Sequence, residues 1–198
     1  KVLRSIEESG YAEVLKKTRQ RFSSIFSYAI SRGLIEENPA YFLKDVFVKT
    51  KKSKHHPQLP LERLPELLQK LENDKGYPIT KLCTAFALHT FVRSSEFRFS
   101  RWNEFDLQKG IWTIPGEREF IPGQKFSNRG AKMKMDHLIP LSPQVIDILK
   151  EIHPYSGMTK NVFPKNGDPQ GFISESTINK TLRRIGYDTN KDICGHGF

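Results

Sequence analysis

Apolar side chains return at helical spacing from Ala12 to Gly33, where Leu15, Phe22, Ile25, Phe26, Ala29 and Ile30 fall toward one side. Gly33, with Asn38-Pro39 behind it, marks the stop of that predicted helix. The polar positions of the same stretch carry Lys16, Lys17, Arg19 and Arg21. The period vanishes in KTKKSKHHPQLP, Lys49 to Pro60, whose four lysines, two histidines and two prolines read as a linker. Helical spacing resumes from Leu61 to Leu71, breaks at Gly76-Tyr77-Pro78 and returns in the apolar run Ile79 to Leu88. Two short β-rich runs follow, Gly110 to Pro115 and Leu138 to Leu141, separated by a Gly- and Pro-bearing loop from Gly116 to Gly130. Ser142-Pro143 predicts an N-cap with proline at the first helical position, and Val145, Ile148, Leu149 and Ile152 then form one stripe. Asn161 to Pro164 reads as a short extended piece. A last helix is predicted from Ser174, with Ile178, Leu182 and Ile185 inward, Lys180, Arg183 and Arg184 outward, and Gly186 as its stop.

This pattern predicts a mainly α fold with a small antiparallel β-sheet, an α+β arrangement preceded by a helical fragment. The composition shift divides the chain into residues 1–48, a basic linker at 49–60, and a larger domain at 61–198. A chain of 198 residues can bury a real core. Its 32 Lys and Arg against 22 Asp and Glu give a formal charge of +10, which suits a polyanionic partner without separating DNA, RNA and anionic membrane. No apolar run approaches the roughly 18 residues of a membrane span, and KVLRSIEESG shows neither a signal peptide nor an initiator Met. The expectation is a piece of a longer cytoplasmic protein that does not engage a membrane. Cys83 and Cys194 offer no CxxC pair and no disulfide framework. No His, Cys, Asp and Glu group has metal-site spacing, so no metal or other cofactor is expected, and His55-His56 reads as linker.

LHTFVRSSEFRFSRW, Leu88 to Trp102, places Arg93 and Glu96 three apart in some of the most apolar sequence of the chain. A guanidinium cannot be neutralised, so burying it beside Leu88, Phe91 and Phe97 requires anions or acceptors around it. Glu96, one helical turn on, can supply one. Two readings fit: a structural ion pair, or an arginine steadied by Glu96 whose free edge faces a phosphate.

The order LHTFVRSSEF, RWNEFDL, GIWTIP, AKMKMDHLIPLS and CGHGF resembles the catalytic domain of the tyrosine recombinases, specifically the integrases of prophages and genomic islands. The resemblance covers nearly the whole chain. Thr90, Arg93 and Glu96 match the family's Thr-x-x-Arg-x-x-Glu motif, which implies that Arg93 is a catalytic arginine supported by Glu96. Counting back from His137, Pro140, Leu141 and Ser142 puts Lys132 at the place of the family's catalytic lysine, with Lys134 as the neighbouring alternative. His196 opens the family's His-x-x-Arg box. The resemblance places the second arginine and the tyrosine nucleophile after Phe198. YAEVLKKTRQRFSSIFSYAISRGLIEENPA resembles the last long helix of the family's core-binding domain, so residues 1–48 are expected to be its C-terminal part, and 61–198 a catalytic domain truncated at its C-terminus. Loop 116–130 is a longer hairpin insert than the family usually shows and receives no role.

The resemblance implies cutting and rejoining of double-stranded DNA at attachment sites through a 3′-phosphotyrosyl intermediate, by a homo-oligomer, a tetramer, on DNA. The chemistry suits the residue types. Attack on a phosphodiester gathers charge on the non-bridging oxygens, which bidentate arginines accommodate, and the leaving 5′ oxygen needs a proton that an ammonium can give. Phosphate contacts are expected from Lys16, Lys17, Arg19, Arg21, Lys49, Lys51, Lys52, Lys54, Lys134, Lys180, Arg183 and Arg184. Two other classes stay open: a DNA-binding remnant without chemistry, and a general RNA or polyanion binder. The type IB topoisomerases share the chemistry but not the exchange of partners.

Overall fold

A computed structural model describes residues 1–43 and 55–196. It divides into two compact units, Lys1–His55 and His56–Phe198. Lys49, Lys51, Lys52 and Lys54 lie outside the described residues.

The smaller unit holds helix α1 (Val2–Glu8) and helix α2 (Ala12–Ser31). Gly33 lies just beyond α2 with φ +66°, the left-handed conformation that glycine adopts without a Cβ penalty. Asn38 returns the chain to α2, its side-chain amide donating to the Ser23 carbonyl at 3.0 Å. The predicted stripe is only partly covered. Leu15 is buried, whereas Ile25 stays 59% exposed. The four cations of α2 do not share one face either. Arg19 sits one turn from buried Leu15 and is half-buried, whereas Lys16, Lys17 and Arg21 are exposed.

The larger unit begins with a 3₁₀ turn (Leu61–Arg63) leading into α3 (Leu64–Glu72) and the central α4 (Pro78–Thr90). Pro78 sits in the first turn of α4, where its missing N–H costs nothing. Ile79, Leu82, Cys83, Phe86 and Ala87 give α4 an almost fully buried face. Helix α5 (Ser94–Phe97) follows, then strands β1 (Phe105–Asp106), β2 (Ile111–Ile114) and β3 (His137–Pro140), which form an antiparallel sheet in the order β1-β2-β3. Ile114 opposes His137 and Ile111 opposes Pro140, so the whole segment 115–136 is one excursion of the β2–β3 hairpin. Ser142 caps α6 (Pro143–Ser156), its hydroxyl accepting the Val145 N–H at 3.3 Å. Strands β4 (Pro164–Lys165) and β5 (Asp168–Phe172) make a second antiparallel pair, and α7 (Thr177–Arg184) stops before Gly186, φ +96°.

Phe86 occupies the centre of the core, edge-on to Trp112 at 5.4 Å and to Phe163 at 5.3 Å, with Phe105 stacked on Trp112 at 5.0 Å. Leu149, Ile152, Ile178 and Leu182 close the core from α6 and α7. Truncating Phe86 would remove contacts from helix, sheet and loop together, at a cost of about 3–5 kcal/mol. The fold is mainly α with a small antiparallel sheet, and no described helix is long and apolar enough to cross a membrane.

Candidate nucleic-acid cleavage site

Helix α4 ends in an unusual way. Phe91 takes the cap position with φ +53°, a left-handed conformation that costs a phenylalanine about 1 kcal/mol or more, and its ring is 72% exposed. That reversal turns the chain into Arg93, the extended N-cap residue of α5. The apolar setting of the segment suggested a buried guanidinium. In the folded chain the Arg93 side chain is 59% exposed, and Glu96 is the buried partner, its side chain 3% exposed.

The Glu96 carboxylate is satisfied from two directions. Oε2 accepts the backbone N–H of Arg93 at 3.1 Å, and Oε1 accepts Nη1 of Arg93 at 3.4 Å. Oε1 also accepts the backbone N–H of Lys132 at 3.3 Å, although Lys132 is 36 residues away. One buried carboxylate thus fixes both the arginine turn and the lysine turn. Lys132 and Lys134 lie on the tight turn Ala131–Lys134, closed by Lys134 N–H to the Ala131 carbonyl at 2.9 Å, with Lys134 at φ +54°. They are turn residues, so strand alternation does not decide between them. Both line a cleft of about 500 Å³ together with Arg93, Ser95 and Arg129.

Arg93 also lines a second, smaller cleft of about 130 Å³ with Phe91, Ser94, Gly195 and His196. The His196 turn is tied to the domain by two backbone donors: Cys194 N–H to the Pro57 carbonyl at 3.3 Å, and Gly195 N–H to Oδ1 of Asn179 on α7 at 2.8 Å. A Cβ on Gly195 would press on Ile178 Cγ2 at 3.1 Å. His56 comes to the same place, its ring centroid 5.4 Å from that of His196. Read as linker in the sequence, His56 gave no signal of this proximity. Arg93, Lys132, Lys134 and His196 therefore border two adjoining clefts that share Arg93.

The hairpin excursion is built on a buried cation. Arg118 has its side chain 1% exposed and pairs in bidentate fashion with Glu104, Nε to Oε1 at 2.6 Å and Nη2 to Oε2 at 2.8 Å. It also donates Nη2 to the Glu96 carbonyl at 3.1 Å and Nη1 to the Arg129 carbonyl. Trp112 Nε1 donates to Glu104 at 3.0 Å, so the pair is roofed by the core. At the neck, Ala131 N–H donates to the Pro115 carbonyl at 2.8 Å, and a Cβ on Gly116 would come within 2.6 Å of the Lys134 carbonyl carbon. Only glycine lets the two sides approach that closely.

The remaining cations divide. Lys180 and Arg183 are exposed on α7, with Nη1 of Arg183 3.0 Å from the Thr189 hydroxyl. Arg184 is committed to Asp74, Nε to Oδ1 at 2.7 Å and Nη2 to Oδ2 at 2.5 Å, and these bonds hold the Asp74 carboxyl below its ordinary range. Lys17 pairs loosely with Glu13 at 3.8 Å. Among the described residues no group of three or more His, Cys, Asp and Glu could hold a metal ion.

The profile of the phage integrase family matches residues 57–198, and that of the phage integrase central domain matches residues 1–46. The chain belongs to the phage integrase family. The protein IntB of Escherichia coli is 44% identical over 196 residues, covering 99% of this chain and 49% of IntB. The integrase of Enterobacteria phage P4 is 41% identical over 196 residues, covering 99% of this chain and 44% of its own. The chain thus spans about half the length of these relatives. The solved Tn1549 transposon integrase, in complex with transposon right end DNA, superposes with a TM-score of 0.78 at 14% identity, over 98% of this chain and 67% of that one. Lambda integrase bound to DNA gives 0.68 at 15% identity, over 98% and 65%. At such identity the structural likeness speaks to fold, and it agrees with the helical domain and small sheet described above.

Proposed function

We propose that this phage integrase family member acts as a site-specific DNA recombinase, with the Arg93 clefts as its phosphodiester site. The observation that carries the reading is that Arg93, Lys132 and His196, far apart in sequence, border adjoining clefts sharing Arg93, with Glu96 bonded to both the arginine and lysine turns. In this reading a tyrosine oxygen attacks the phosphorus and the P–O5′ bond breaks. Arg93 carries the charge that gathers on the non-bridging oxygens, its exposed guanidinium already held at the right end by Glu96. Lys132 gives its proton to the departing 5′ oxygen, with Lys134 as the neighbouring donor. His196 orients the phosphate or handles the nucleophile's proton. The product is a 3′-phosphotyrosyl link and a free 5′ hydroxyl, ready for religation to another strand.

The partner is duplex DNA carrying an attachment site, bound by a homo-oligomer, a tetramer when two sites are paired. Residues 1–48 serve as the C-terminal part of a core-binding domain and 61–198 as the catalytic domain, with the basic segment 49–60 between them following the DNA. Lys16, Lys17, Arg21, Lys180 and Arg183 are exposed and suit phosphate contact; Arg19 is half-buried, and Arg184 serves the fold through Asp74.

The test exploits the leaving group. In the full-length protein that carries this chain, Lys132→Ala should slow cleavage of an ordinary phosphodiester by about 10²–10⁴-fold. A duplex with sulfur in place of the bridging 5′ oxygen needs no proton at the leaving group. Lys132→Ala should cleave that duplex nearly as fast as the unaltered protein, and Arg93→Ala should not be rescued. Equal defects on both duplexes would remove Lys132 as the acid, and rescue of Lys134→Ala instead would transfer the role.

A further inference from the structure

The 116–130 excursion is more than a long turn. Its first strand-like residue and its last are bridged, Glu117 opposite Arg129, and Arg118 N–H donates to the Asn128 carbonyl at 3.0 Å. Inside it, the fully buried Ser127 hydroxyl accepts the Ile121 N–H at 2.7 Å. Arg118, buried against Glu104, grips the Arg129 carbonyl from below. Such a foundation fixes the Arg129 backbone. The exposed side chain rests on a ring, its guanidinium carbon 4.1 Å from the centroid of Phe126, and Phe126 is held at φ +66° and 55% exposed. A phenylalanine in a left-handed conformation with an open ring face gains nothing for the core, and the strain is offset by the surrounding structure.

Arg129 has no carboxylate within ion-pair distance among the described residues, and it borders the same cleft as Arg93, Lys132 and Lys134. Among the described residues Glu117 is the one carboxylate on that lining, and its Oε1 accepts the Asn128 amide at 3.0 Å. Four cations against one carboxylate leave a net positive lining that calls for anions, and more than one phosphate's worth of charge. We infer that Arg129, braced on Phe126, is an additional clamp for the DNA backbone, holding a phosphate next to the one that Arg93 engages. The inference rests on the recombinase reading above, and it gives the insert a role: it carries to the cleavage site an arginine whose ordering is partly met by the Phe126 ring before DNA arrives.

Binding of the 198-residue chain to a 30-base-pair fluorescent duplex, followed by anisotropy between 50 and 300 mM salt, tests it. Arg129→Ala should lower the magnitude of the log–log salt slope by about 0.9 and weaken binding about eightfold at 0.1 M salt, the effect of one lost phosphate contact. Phe126→Leu keeps the charge and the backbone conformation but removes the ring, so it should weaken binding by about two- to fivefold with the slope unchanged. Lys125→Ala serves as the control, an exposed cation of the same insert that does not line the cleft. An Arg129→Ala slope equal to that of the unaltered chain, or equal losses in Lys125→Ala and Arg129→Ala, would overturn the clamp while leaving the recombinase reading intact. Absence of any salt-dependent duplex binding by the unaltered chain would overturn the clamp, while the recombinase reading stands or falls on the cleavage test with the full-length protein. Thermal melting separates folding defects from binding defects, since the Arg129 carbonyl that Arg118 uses is kept in every variant.

Discussion

Glu96 answers three N–H groups with a side chain 3% exposed, while the guanidinium it steadies stays 59% exposed, so the two ends of this ion pair carry unequal shares of the fold. A cation open to water has little desolvation to lose, and its pairing is screened. Removing it leaves the Glu96 carboxylate with the Arg93 and Lys132 backbone donors. Arg93→Ala should therefore cost less than about 1 kcal/mol of stability. Removing Glu96 instead orphans the two backbone donors and frees the lysine turn, and Glu96→Ala should cost about 2–4 kcal/mol. Urea denaturation of the two variants decides between a structural and a functional arginine. If Arg93→Ala cost as much as Glu96→Ala, the guanidinium would be a strut of the fold and its assignment to the phosphate would lose its main support.

At the scale of elements, the Asp74–Arg184 bridge joins the turn after α3 to the end of α7, and it gives the domain a defined acid response. Arg184 holds the Asp74 carboxyl below its ordinary range, chiefly through the side-chain hydrogen bonds. A carboxyl depressed in the folded state stabilises it above the unfolded pKa of about 3.9 and loses that contribution as pH falls through the folded value. Asp74→Asn should thus be less stable than the unaltered chain by about 2 kcal/mol at neutral pH, and the gap should begin to close below about pH 4 and go on closing as pH falls through the folded value. A gap independent of pH from 3 to 7 would show that the pair's charge contributes nothing. The elements themselves were legible where one periodicity dominated: Ser142-Pro143 with Val145, Leu149 and Ile152 placed α6, and Gly110 to Pro115 placed β2. Strand β5, Asp168–Phe172, reads DPQGF and has no alternation to find. The stripe on α2 was visible, but coverage depends on neighbours that sequence spacing does not supply, and Ile25 stays open. Motif order alone proposes Arg93, Glu96, Lys132 and His196 as site residues, whereas an apolar setting cannot tell which partner of an ion pair is buried, and here it is the carboxylate. The roles of Arg118, Glu104, Asn179 and His56 were invisible, because each acts through contacts 14 to 140 residues away in the chain and no local pattern encodes such contacts.

For the molecule as a whole, a formal charge of +10 and a cation-lined cleft suit a polyanion and, under the proposed function, predict salt-sensitive association with duplex DNA, but affinity for a phosphodiester is not the means to break it. Covalent cleavage needs an oxygen nucleophile in line with the phosphorus, and among the described residues no tyrosine lines either Arg93 cleft. In the larger unit, Tyr77 packs against the core, Tyr155 projects 52% exposed from α6, and Tyr187 is 3% exposed beneath Arg63 and Lys70. Burial raises the Tyr187 hydroxyl's pKa further, which makes it a poorer nucleophile still. Tyr11, Tyr28 and Tyr41 belong to the smaller unit. Water would need a base or a metal to take their place. The 198-residue chain should therefore bind a nicked duplex carrying the attachment site and leave it uncut. On a native gel it should shift the duplex, and on a denaturing gel no protein–DNA adduct should remain, whereas the full-length protein should leave one. An adduct formed by the 198-residue chain alone would assign the nucleophile to one of these six tyrosines, and peptide mapping of the adduct would identify which unit had delivered it to Arg93.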